Sequence, residues 1–121
     1  MNENTDQIEA IEVVLEHYIN GGKAGCGNDM RAVFHEDAIV FGYVGDDLFA
    51  GPIELLFSWI DDNGPSPDLS YEIHATDIEG NAATARLEAS NWHGHRFTDM
   101  FTFLRISEEW KITSKVFHLH E

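Results

Sequence analysis

The chain has 121 residues and a mass of 13.7 kDa, enough for one domain with a sizeable core. Seven basic side chains against 22 acidic ones give a formal charge of −15, which argues against binding a phosphate backbone and against docking on anionic lipid. With 43% hydrophobic and 12% aromatic residues, the composition excludes an acidic disordered tail and fits a globular domain.

The opening MNENTDQ has neither the basic start nor the apolar run of a secretion signal, and no stretch approaches the ~18 apolar residues of a membrane span. A soluble, cytoplasmic protein is the expectation. Ile8, Ile11, Leu15, Tyr18 and Ile19 recur at helical spacing, so residues 1–22 predict an amphipathic helix. Asn4 and Gln7 resemble its capping box, and Gly21–Gly22 its stop. Cys26, the one cysteine, excludes an intrachain disulfide. It lies in a glycine-rich turn without a histidine nearby to activate it as a nucleophile. A short second helix from Asn28 carries Met30, Val33 and Phe34. His35–Glu36–Asp37 reads as a polar loop leading into a strand, Ala38–Val44, whose apolar run predicts burial on both sides. Gly51–Pro52 opens a third helix with Ile53, Leu56, Phe57 and Ile60 inside, and Asn63–Gly64 end it. Pro65–Pro67 is a loop too short to separate domains, so residues 1–121 form a single domain.

Beyond residue 68 the apolar period becomes two. Leu69, Tyr71, Ile73 and Ala75 alternate with polar residues, and Glu79–Gly80–Asn81 is a hairpin turn. Strands over 82–92, Phe97–Ile106 and Trp110–His120 follow, with turns at His93–Gly94–His95 and Ser107–Glu109. Helices first and an antiparallel meander afterwards predict an α+β domain with helices on one face of the sheet.

Asp99 is the first candidate for chemistry. Its strand puts Phe97, Asp99, Phe101 and Phe103 on one face, and a carboxylate in such a row must be protonated, paired or open to a wet cavity. The plainer alternative is a strand exposed at that point. Tyr18, Tyr43 and Trp59 are each either core aromatics or pocket-lining ones. His93, His95, His118 and His120 would gather at one end of the sheet if the last two strands are neighbours. They form a candidate zinc site, set against ordinary surface histidines. No nucleophile elbow, phosphate loop, dinucleotide fingerprint or His-Glu-x-x-His motif occurs. No cofactor is expected.

Several segments together carry a family resemblance: Tyr18–Ile19–Asn20–Gly21–Gly22, Phe34–His35–Glu36–Asp37–Ala38, Gly51–Pro52, Phe97–Thr98–Asp99–Met100–Phe101, and the run from Trp110 to His118. Over essentially its full length the chain resembles a nuclear-transport-factor-2-like domain. That is the cystatin-like cone shared with ketosteroid isomerases and SnoaL-like cyclases, and the closest branch is the one named "putative lumazine-binding". The resemblance implies three N-terminal helices on a strongly curved, mainly antiparallel sheet forming a cone with an internal pocket. It also implies a homodimer through the sheet's outer face. The isomerases' oxyanion-hole tyrosine falls on Tyr18 and their oxyanion-hole acid on Asp99, but their general-base aspartate falls on Gly42. Donors without a base can polarise a carbonyl but cannot move an α-proton. Asp46, Asp47 or His35 would have to point inward to substitute.

Lys115 offers Asp99 another use. Both faces of the last strand are partly apolar, so its inward set stays ambiguous. Pointing in, Lys115 would form an ion pair that lowers the Asp99 pKa; pointing out, it would leave Asp99 alone with a raised one. The leading expectation is a small-molecule-binding domain whose pocket is lined by Tyr18, Tyr43, Trp59, Asp99, Phe101 and Lys115. Its ligand would be flat, partly polar, and aromatic or carbonyl-bearing. The alternatives are an isomerase, dehydratase or cyclase using Tyr18 and Asp99 as donors, and a dimeric interaction module with a closed pocket. An open pocket of ~300 Å³ or more would keep the ligand readings.

Overall fold

The computed structural model describes the backbone of residues 3–120 and the side chains of residues 5–120. Helix α1 (Glu3–Ala24) buries Ile11, Leu15, Tyr18 and Ile19 completely, on the stripe that their spacing predicts. It runs through Gly21 and Gly22 and ends at Gly25, whose φ of 67° lies in the left-handed region. The glycine pair serves close approach instead of termination, since a Cβ on Gly22 would come within 2.6 Å of the Trp92 ring. The Asn4 cap falls on a side chain outside the described residues. Gln7 accepts a hydrogen bond from the Trp110 indole at 2.7 Å.

Helix α2 (Gly27–Arg31) is shorter than expected: Val33 falls in the link and Phe34 opens a strand. Asp61 holds its first turn, accepting the Gly27 N–H at 2.7 Å. Strand β1 (Phe34–Val44) forms a hairpin with β2 (Asp47–Pro52), a strand that the sequence reading missed. Gly51–Pro52 therefore ends an edge strand, where a residue without an N–H is tolerated, and helix α3 (Glu54–Asn63) starts only beyond Ile53. Gly64 closes it as predicted, with φ 75°. Burial of β1 on both sides is also corrected. Ala38 and Val40 are buried, but Ile39 and Phe41 are each 43% exposed and Tyr43 60%.

Strands β3 (Ser70–Glu79), β4 (Ala82–Trp92), β5 (His95–Ile106) and β6 (Glu109–His120) form the meander. Two of its turns, His93–Gly94 and Ser107–Glu108, have positive φ at both residues, the twist that two-residue hairpins favour. The sheet is mixed, in the order β2-β1-β6-β5-β4-β3, with β1 and β6 parallel and every other pair antiparallel. Two irregularities reset the faces. Ala75, at φ 55°, breaks the β3 register, so Thr76 and Ile78 continue the half-buried row of Tyr71 and Ile73. In β6, Ser114 pairs with Thr102 and Ile112 with Phe103, leaving Thr113 as an extra residue. The buried set is consequently Trp110 and Ile112 before the bulge, and Lys115 and Phe117 after it. The helices' buried faces and the sheet's inner residues form one apolar core. Among the described residues, no helix is long and apolar enough to cross a membrane.

Candidate functional site

Three polar side chains from three elements meet inside this core. The β5 alternation turns Phe97, Asp99, Phe101 and Phe103 inward, and Asp99 is 0% exposed. Helix α1 points Tyr18 across from the opposite layer, and its hydroxyl donates to Asp99 Oδ2 at 2.7 Å. The β6 bulge rotates Lys115 inward, 5% exposed, with Nζ 3.8 Å from Asp99 Oδ1. That distance is an ion-pair contact longer than a hydrogen bond, and Oδ1 has no hydrogen-bond partner. Three aromatic rings also surround the ammonium: Nζ lies 5.1 Å from the Phe117 centroid, 5.3 Å from Tyr18 and 5.6 Å from Trp92. The Trp92 indole N–H is likewise buried without a partner.

Burial decides the electrostatics. Removal from water pushes the Asp99 carboxyl up, outweighing the opposing pull of Lys115 and the Tyr18 hydrogen bond. Removal from water likewise brings the Lys115 ammonium down despite Asp99. Tyr18 is raised well above the usual phenol range, first by burial and then by the Asp99 charge. The expectation that an inward Lys115 lowers the Asp99 pKa is therefore corrected. Lys115 points in, and desolvation still favours the neutral acid.

Beside Lys115 lies an apolar cavity of about 120 Å³. Val44 and Phe49 of the first hairpin, Leu56 and Trp59 of α3, and Trp92, His95 and Phe97 of the β4–β5 hairpin wall it, together with Lys115, Phe117 and Leu119 of β6. Of the residues expected to line a pocket, Trp59 and Lys115 border this space. Tyr18, Asp99 and Phe101 are fully buried beside it and are not among its lining residues. Tyr43 lies on the outward side of β1, in a shallow groove with Asp46 and His118. Sequence reasoning missed Phe49 because it missed β2, and missed Phe117 and Leu119 because alternation alone could not orient β6.

No substitute base joins the triad. Asp46 and Asp47 are exposed near the tip of the first hairpin, and His35 Nδ1 accepts the Asp37 N–H at 3.0 Å. A Cβ on Gly42 would stand 2.5 Å from the Phe117 ring, which occupies the space a base at this position would use. The histidines do not share a face. His93 Nε2 lies 3.1 Å from the Gly64 carbonyl and His95 borders the cavity. His118 and His120 alternate with inward Phe117 and face away, their ring centroids 4.7 Å apart. Among the described residues, no three His, Cys, Asp or Glu side chains are grouped to hold a metal ion. Cys26 is half-buried at the start of α2. What the site offers chemically is a buried amine–carboxyl pair that removal from water shifts toward its neutral forms, with Lys115 on the wall of an apolar space.

A family model described as "Putative lumazine-binding" matches residues 6–118. The chain is similar to an NTF2-like protein of unknown function from Methylobacillus flagellatus, with 46% identity over 96% of this chain and 94% of that one and a TM-score of 0.93. Another NTF2-like protein of unknown function, from Shewanella baltica, has 37% identity over 100% of this chain and 99% of that one, with a TM-score of 0.94. Among curated proteins, one from Cladobotryum sp named "Aldolase FrzH" is 23% identical over 115 residues, covering 94% of this chain and 92% of that protein.

Proposed function

The chain belongs to the family described as "Putative lumazine-binding", and from that premise we propose that it binds a compact, largely apolar small molecule carrying one carbonyl directed at Lys115. The observation that carries this reading is the cavity of about 120 Å³, apolar on nearly every side, with the Lys115 amine on its wall. Its size limits the ligand. An apolar cavity of ~150 Å³ holds benzene, whereas sites for drug-sized ligands start near ~300 Å³. A single ring or short branched chain fits better than a fused bicycle such as a lumazine. The name of the Cladobotryum relative, an aldolase, supports a carbonyl as the polar group. The donor-pair enzyme reading has weaker support, because the Tyr18 hydroxyl is committed to Asp99 and Gly42 stands where that reading needs a base.

Tryptophans provide the test. Trp59 and Trp92 border the cavity and Trp110 does not. Titration with toluene is expected to move the indole N–H resonances of Trp59 and Trp92 and leave that of Trp110 in place. No movement of either up to the solubility limit would overturn the reading.

We also propose that a second copy of the chain covers the outward sheet face. Register aligns Phe41 with Val116 and Val116 with Met100, giving an exposed apolar row across three strands. A two-fold dimer would place this same patch on both subunits, so that one row covers the other. Sedimentation is expected to give a dimer at micromolar concentration, and Val116→Glu a folded monomer. A monomeric native protein would overturn the dimer.

A further inference from the structure

Two buried polar atoms beside the cavity have no hydrogen-bond partner: Asp99 Oδ1, which faces the Lys115 amine, and Trp92 Nε1. A carboxylate whose only purpose was to neutralise Lys115 would gain most from direct hydrogen bonds to the ammonium. Here Oδ2 is fixed by Tyr18, and Oδ1 is left 3.8 Å from Nζ with its lone pairs unused. Lys115 is also the one amine on the cavity wall. We propose that Lys115 forms a covalent imine with a small ketone or aldehyde in this cavity, with Asp99 as the acid that expels water. This deepens the binding function proposed above and rests on it.

One proton moved from Nζ to Asp99 Oδ1 converts the ion pair into a neutral amine and a carboxylic acid, a nucleophile and a general acid made together. Burial favours this state, raising the acid's pKa and lowering the amine's. The Nζ lone pair then bonds to the carbonyl carbon while the C–O π pair moves to oxygen. A proton passes from nitrogen to that oxygen and gives a neutral carbinolamine. Asp99 next donates its proton to the hydroxyl, the C–O bond breaks, water leaves, and the nitrogen lone pair forms C=N. The products are a protonated imine, the Asp99 carboxylate beside it and one water, so every proton of the original ammonium is accounted for. Tyr18 does not touch the reacting atoms. Its hydroxyl is a positioning group that holds Oδ2 and leaves Oδ1 turned toward Nζ. The aromatic rings around Nζ keep bulk water from reversing the condensation.

Cyclohexanone with sodium cyanoborohydride tests this, because hydride adds to the C=N carbon and leaves a stable cyclohexylamine. Peptide mapping is expected to find cyclohexyl on Lys115 at least about 10-fold faster than on the exposed Lys23, the gain of an amine with an acid positioned beside it. Asp99→Asn is expected to slow that labelling at least about 10-fold, in line with the loss of a general acid. Methylenecyclohexane, which has the same shape without the carbonyl oxygen, separates the two proposals. If it moves the Trp59 and Trp92 resonances while Lys115 labels no faster than Lys23, the imine is overturned and the binding function stands. If neither response occurs, both fall.

Discussion

Replacing Tyr18, Asp99 and Lys115 together by phenylalanine, leucine and methionine is expected to stabilise the fold at pH 7 by about 1–4 kcal/mol, whereas Lys115→Met alone is expected to cost about 3–5 kcal/mol. The difference follows from what each variant leaves behind. The single substitution strands Asp99 with the Tyr18 hydroxyl as its remaining support, fully buried. The triple substitution removes all three polar groups together, keeps the net charge and approximately keeps the volume. Its pH dependence has a defined sign. The Asp99 pKa is raised, so its contribution to stability is present below the ordinary value of 3.8 and lost as pH rises through the folded value. The Lys115 pKa is lowered, so its contribution is present above 10.5 and lost as pH falls through its folded value. Both losses are in force between the two folded values, and the triple variant gains most there. The cost of Lys115→Met should shrink as the pH falls, because Asp99 then takes up a proton. Urea denaturation at pH 5 and pH 7 checks both statements. A triple variant less stable than the native protein at pH 7 would show that the three groups stabilise the fold, and their retention would then need no chemical reason.

The buried trio of Tyr18, Asp99 and Lys115 was only half legible in the sequence. Strict alternation in β5 exposes Asp99 as an acid in a phenylalanine row, and the structure keeps that face intact. The helical stripe of α1 marks Tyr18 equally well. Lys115 could not be oriented, because a single unpaired residue at Thr113 swaps the faces of β6 partway along, and a bulge leaves no mark on hydropathy. Strand β2 was lost for a different reason: Gly-Pro followed by an apolar helical stripe is a legitimate helix start. It is the antiparallel pairing with β1, from Ile39–Pro52 to Val44–Asp47, that claims Gly51 and Pro52 for the sheet. With β2 went the cavity wall that Phe49 supplies. Acidic residues outnumber basic ones only before residue 81, so the formal charge of −15 gave no sign of a site whose one ion pair, Asp99 and Lys115, lies beyond that point.

Gly42→Asp, which restores a carboxyl where the resemblance to isomerases puts their general base, is expected to destabilise the protein by about 3 kcal/mol or more. It is also expected to confer no exchange of α-protons on enolisable ketones. The backbone at Gly42 is not in the left-handed region, so conformation does not forbid a side chain there. The obstacle is Phe117, directly opposite in the parallel β1–β6 pair, three of whose ring carbons would lie 2.5–2.6 Å from a Cβ. The ring borders the cavity, which gives it room to move in that direction. Gly42→Ala should therefore cost about 1–3 kcal/mol and weaken the toluene response of Trp59 and Trp92. Adding Phe117→Leu should recover part of both losses, the coupling expected of two residues that share one space. Full stability in Gly42→Asp would show that Phe117 has somewhere else to go. Otherwise the position that supplies the base in isomerases is filled by an aromatic wall in this chain. The imine proposed above would then take its amine from Lys115 on the cavity wall and its proton from Asp99 beside it.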